Sequence, residues 1–150
     1  MSDAVKARKK AMDYLARREY GQRELEQKLI AAGFESVTVT TTVDKLAEEG
    51  LQDDRRFIEN FVQSRINQGK GPIRVRQELG ERGLDAGMIE DVLEDLAEDW
   101  CALARMVRDK KFGPELPRDF KDKARQMRFL QYRGFDSGHI QAAMAPHGDH

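Results

Sequence analysis

The chain has 150 residues, 39% of them hydrophobic and 35% charged, with a formal net charge of −1. That is enough for one ordinary domain or several small units, and too little apolar matter for a thick core, so a thin helical array with a large solvated face is expected. The neutral total argues against a general polyanion binder. The charge is nevertheless uneven, balancing at 0 over residues 1–52, −5 over 53–99 and +4 over 100–150.

The single cysteine, Cys101, excludes an internal disulfide and fits a reducing compartment. The opening residues carry Lys6, Arg8, Lys9 and Lys10 and no apolar stretch of signal-peptide length. No run approaches the roughly 20 apolar residues that span a bilayer. These features predict a soluble, cytoplasmic protein.

Glycines set the organisation. Leu29, Gly33 and Phe34 recur as Leu79, Gly83 and Leu84, and again as Leu130, Gly134 and Phe135. Such a period of about 50 residues is typical of stacked helical repeats. A helix often ends on a glycine in the left-handed backbone region, with an apolar pair closing around it. Leu46, Gly50 and Leu51 repeat the same stop. Past each repeat glycine come Val39 and Val43, Ile89 and Leu93, Ile140 and Met144, each pair one helical turn apart. Ser36, Asp85 and Asp136 (or Ser137) stand where an N-cap belongs. Before the glycines, Leu25 with Leu29 and Val75 with Leu79 keep the same spacing. In the third copy Gln126 breaks it, and Met127 or Phe129 is expected to substitute.

Each unit therefore reads helix, loop, helix, glycine stop, helix, giving an all-α chain of three tandem three-helix repeats over 1–52, 53–99 and 100–150. Pro72 suits the first position of a helix. Phe112, Gly113, Pro114, Glu115, Leu116 and Pro117 form an inserted extended loop. No glycine or proline falls between Met88 and Phe112, so the helices there are expected to be continuous or kinked. The β-branched run from Val37 to Val43 alternates like a strand. Its counterpart from Met88 to Glu94 is plainly helical, and the repeat decides for helix.

Catalytic and metal signatures are missing. His139, His147 and His150 have no recognised ligand spacing, and Cys101 has neither partner cysteine nor an evident base. It is expected to be a structural thiol on a packed helix. No phosphate-cradling glycine motif occurs, Lys70-Gly71-Pro72 being too short. Glu90, Asp91, Glu94, Asp95, Glu98 and Asp99 fall on one broad helical face, either solvated or docking a basic partner. The chain is expected not to be an enzyme and to need no cofactor or metal.

Two basic clusters are candidate contacts. Lys70, Arg74 and Arg76 with Arg82 form one; Lys110, Lys111, Lys121, Lys123, Arg125, Arg128 and Arg133 form the other, with Lys121, Arg125 and Arg128 in a helical stripe. Each is either a solvated surface or a contact for carboxylates or phosphates. Phe129 and Tyr132 could stack on bases, although core packing is the stronger expectation for both, as for Trp100.

The stretch from Gly69 to Leu79 with Gly83 and Leu84 resembles the central signature of the RecX family. So does Leu51-Gln52-Asp53-Asp54-Arg55-Arg56-Phe57, leading into a helix with Phe61, Val62 and Arg65. Asp99 to Arg105, Lys111-Phe112-Gly113 and Arg128 to Phe135 are similar to proteobacterial members. The resemblance runs over roughly residues 10–145. It implies three three-helix repeats in an elongated, curved array. It also implies a regulator that binds the RecA–single-stranded DNA filament and inhibits ATP hydrolysis, strand exchange and co-protease activity, within recombination, DNA repair and the SOS response. The partner would be the RecA nucleoprotein filament, with weak or indirect contact to single-stranded DNA, no membrane, and a monomeric state. A stand-alone nucleic-acid-binding helical repeat protein is the alternative, against which the neutral charge speaks.

Overall fold

The computed structural model describes residues 2–146; His147 and His150 lie outside the described residues. Among the described residues there are nine helices and no strand: α1 (Asp3–Arg17), α2 (Gln22–Ala31), α3 (Ser36–Glu48), α4 (Asp54–Asn67), α5 (Pro72–Glu81), α6 (Ala86–Leu96), α7 (Trp100–Phe112), α8 (Phe120–Tyr132) and α9 (Ser137–Ala143). None is long and apolar enough to cross a membrane.

The glycine stops close as the sequence indicates. The amide of Gly33 donates to Ile30 and that of Phe34 to Leu29, and the same two bonds recur at Gly83 and Leu84, at Gly134 and Phe135, and at Gly50 and Leu51. All four glycines have positive φ, from +76° to +103°. This is the Schellman arrangement, which satisfies two carbonyls that the helix itself cannot. A fifth stop, overlooked in the sequence, lies at Gly69, where Lys70 donates to Arg65 and Gly69 to Ile66.

The run from Val37 to Val43 is helical, within α3. Its β-branched side chains reach the core through Val39 and Val43, which are fully buried. Burial here outweighs weak helix propensity. Pro72 is the first residue of α5. Asp85 and Asp136 cap α6 and α9 by accepting from Met88 and His139. Ser36 does not cap α3. It is the first helical residue, and Glu35 precedes the helix without a side-chain bond.

Two further expectations are corrected. α6 and α7 are separate helices although neither glycine nor proline divides them. The break falls at Ala97, whose φ is +50°, and Asp99 then caps α7 by accepting from Ala102 at 3.0 Å. Gln126 is not displaced by Met127 or Phe129. It is buried itself, because a buried arginine, Arg108, offers it a polar partner.

The chain forms two compact units, residues 2–61 with Leu79–Val92, and Val62–Glu78 with the chain from Leu93 onward. In the first, α1 and α2 pack on α3 around Ala11, Tyr20, Leu25, Leu29, Val39, Val43 and Leu46. Gly21 offers no side chain to cap α2, and Asp54 supplies the acceptor instead, 2.7 Å from the Gln22 amide. Gln52, itself buried, donates to both Asp54 and the Tyr20 carbonyl.

In the second unit α7 packs on α9 and α8 through Leu103, Ala104, Val107, Leu130, Phe135, Ile140 and Ala143. Arg108 is fully buried among them. Its guanidinium donates to Asp109 at 2.6 Å, to the Pro114 carbonyl at 3.2 Å and, at 3.5 Å, to the Glu115 carbonyl and Gln126. The inserted loop is thereby tied to α7 and α8. Burying a charge is costly unless it is paired and hydrogen-bonded; Asp109 supplies the pairing and the loop carbonyls further acceptors, while Nε is buried without a partner among the described residues. Arg105 similarly donates to Ala142 and Ala145, holding the end of α9.

Candidate partner-binding surface

The structure brings together basic residues that are far apart in sequence. The loop between α4 and α5 lies against the end of α8: Gly71 donates to the Arg133 carbonyl and Ile73 to that of Gly134. No bulkier residue fits here, since a Cβ on Gly71 would collide with the Gly134 backbone, and one on Gly134 with Arg74. This close approach places Lys70, Arg74 and Arg133 side by side. Arg74 donates to the Tyr132 carbonyl at 3.2 Å, with its guanidinium 5.1 Å from the Tyr132 ring centre. Arg133 donates to the Gln68 carbonyl at 3.0 Å.

Lys70 registers the crowding. Partial burial, and after it the charges of Arg74 and Arg133, hold its amine below the ordinary lysine value, against a smaller opposing pull from Glu78. Glu78 is itself engaged by Arg65 at 3.2 Å.

Beside this cluster, α7 and α8 enclose a cleft of about 370 Å³. Gly69, Met106, Val107 and Phe129 form its apolar part. Lys110, Lys111 and Arg133 stand around it. The aromatic groups are already covered. Arg133 and Lys111 lie over the Phe129 ring at 5.1 and 5.7 Å, Phe129 meets Phe112 edge-on at 5.3 Å, and Arg125 lies 4.9 Å over Phe112. Cations on ring faces are mildly stabilised there.

The remaining expected residues lie elsewhere. Lys121 and Arg128 are exposed on α8, and Arg125 also pairs with Asp122 at 2.8 Å. Lys123 is exposed on the same helix, and Arg76 on α5. Arg82 belongs to the first unit, where it pairs with Glu24 at 3.4 Å and lies over Phe61. Along the acidic run, Glu90, Asp91, Glu94, Asp95 and Asp99 are exposed and Glu98 is half-buried.

Three packing expectations change. Tyr132 is 71% exposed, because the apolar closure at Gly134 uses Leu130 and Phe135 and leaves Tyr132 on the outer side. Phe129 and Trp100 are only half-buried. Cys101 is exposed, since the buried face of α7 is formed by Leu103, Ala104, Val107 and Arg108. His139 has a structural role: its Nδ1 accepts from the Asp136 amide in a capping box, and its ring meets Phe135 edge-on.

The chain is thus an all-helical protein that carries a basic surface beside an apolar cleft. Its family follows from the sequence domains. The family models described as RecX first, second and third three-helix domains match residues 7–46, 53–93 and 97–144 in that order. The regulatory protein RecX of Halorhodospira halophila is 48% identical over 96% of this chain and 88% of its own length. That of Pseudomonas entomophila is 46% identical over 87% and 84%. The crystal structure of RecX from Lactobacillus salivarius has the same fold, with a TM-score of 0.80 over 94% of each chain at 21% identity. The chain belongs to the RecX family of regulatory proteins.

Proposed function

We propose that this protein is a modulator of RecA that binds the RecA–single-stranded DNA filament and lowers its ATP hydrolysis, strand exchange and co-protease activity. The observation that carries this reading is the ordered match of all three RecX domains. Physical support comes from a surface where Lys70, Arg74 and Arg133 converge against mutual repulsion, as expected of a site kept for an anionic partner. The protein acts by binding rather than catalysis, in the cytoplasm, as a monomer and without a cofactor. Lys70, Arg74, Arg76, Arg82, Lys110, Lys111, Lys121, Arg125, Arg128 and Arg133 share the contacts to RecA carboxylates and filament phosphates.

Binding of labelled protein to RecA filaments, compared with single-stranded DNA alone across a salt titration, tests this. The expected result is saturable filament binding and only weak binding to bare DNA. Replacing Lys70, Arg74 and Arg76 together by alanine should weaken filament binding while the circular dichroism spectrum stays unchanged. Tight, steeply salt-dependent binding to DNA without RecA would instead identify a stand-alone nucleic-acid binder.

A further inference from the structure

We propose that the cleft beside Gly69 is a docking site for an acidic segment of a partner protein carrying one bulky aliphatic side chain. The aliphatic group sits on Val107 and Met106, and flanking carboxylates are taken by Lys110, Lys111 and Arg133. This rests on the reading that the protein works through a protein partner, and it specifies how that partner is held.

The first argument is charge. Among the described residues no carboxylate forms an ion pair with Lys110, Lys111 or Arg133. Three cations therefore surround one cleft without local compensation, and Lys70 and Arg74 add two more on the side of Arg133. Opposite charge on an incoming segment is the complement.

The second argument is the apolar part. Met106 is 59% exposed where it lines this cleft beside Val107 and Phe129, and methionine adapts to varied aliphatic surfaces. A cleft of about 370 Å³ has room for one large side chain with part of its backbone.

A nucleic acid fits less well. Base stacking requires open aromatic faces. The Phe129 face carries Arg133 and Lys111 and its edge meets Phe112, while Tyr132, 71% exposed, stands outside the residues that line the cleft. At the cleft itself, the cations that would attract phosphates thus occupy the ring on which a base would stack.

The test is fluorescence anisotropy with the full chain and a labelled peptide Asp-Glu-Leu-Glu-Asp. Its probes for comparison are the same peptide with glycine for leucine and an oligothymidylate of similar charge. The leucine peptide should bind, and losing the leucine should weaken binding by roughly tenfold or more. Met106→Glu and Lys111→Glu should each weaken the leucine peptide by about fivefold or more while leaving the melting temperature near that of the parent. If Met106→Glu lowers the melting temperature, Lys110→Gln, an exposed change, provides the same readout. Equal binding of the two peptides would overturn the proposal, as would unchanged binding in the variants. Oligothymidylate binding that is tighter than the peptide's and lost in the same variants would overturn it in favour of nucleic acid. RecA takes no part in this assay. Intact peptide recognition with no effect on RecA would therefore refute the RecA reading alone.

Discussion

The amide of Gly71 donates to the carbonyl of Arg133 at 2.8 Å. Together with the bond from Ile73 to Gly134, it lets the start of α5 and the end of α8 satisfy each other's orphan backbone groups. The basic surface depends on this junction, because it sets Lys70 and Arg74 beside Arg133. Gly71→Ala would push a methyl group into the Gly134 backbone, which has no flexible end to swing aside. The expected cost is roughly 2 kcal/mol or more, read as a lowered midpoint in urea unfolding. Gly80→Ala, where nothing lies near the added carbon, should not destabilise the protein.

Ala97 offers the opposite change. It holds φ at +50° between α6 and α7, in a region that disfavours any residue with a Cβ. Ala97→Gly should raise stability by about 0.5 kcal/mol, the relief of strain outweighing the glycine's greater freedom when unfolded. A thermal melt should move up by a few degrees.

Arg108 is a buried cation paired with Asp109 and held by backbone carbonyls, so removing it strands neutral acceptors as well as a carboxylate. Arg108→Ala leaves Gln126 and the carbonyls of Pro114 and Glu115 without this donor and opens a cavity. A loss of about 3 kcal/mol is expected, somewhat reduced because Asp109 keeps access to water. Arg108→Met should recover part of it by filling the volume. Hydrogen exchange over residues 113–119 should quicken most, since that loop loses its anchor.

Lys70 carries a penalty in the fold. Its folded value lies below the ordinary 10.5, so at neutral pH both states are protonated and the full cost of the charge is present. As pH rises through the folded value toward 10.5, the folded state sheds its proton first and stability increases. Lys70→Gln is therefore expected to leave the neutral-pH melting temperature unchanged or slightly higher. Its advantage should shrink as the pH approaches 10.5. Binding to RecA filaments should weaken in the same variant, separating partner recognition from folding.

The sequence made the repeat legible because Gly33, Gly50, Gly83 and Gly134 occupy backbone positions that few other residues tolerate. Backbone requirements leave marks of that kind; side-chain environments do not. Ala97 turns the chain with no turn-forming residue, so the break before α7 had no local signal. Arg108 looks like any helical arginine, since its partners include carbonyls of an insertion whose path is set by tertiary packing. Spacing separated Lys70 and Arg74 from Arg133, because the bond that joins them runs between distant backbones. The cations around Phe129 form a basic cluster already visible in the sequence, whereas the cleft they surround exists only because the fold places Gly69 and Met106 beside them.

The most direct measurement is the rate of single-stranded-DNA-dependent ATP hydrolysis by RecA with this protein added at substoichiometric ratios. The account predicts progressive slowing, and a weaker effect from the protein lacking Lys70, Arg74 and Arg76. An unchanged hydrolysis rate at every ratio, from a folded protein, would contradict it.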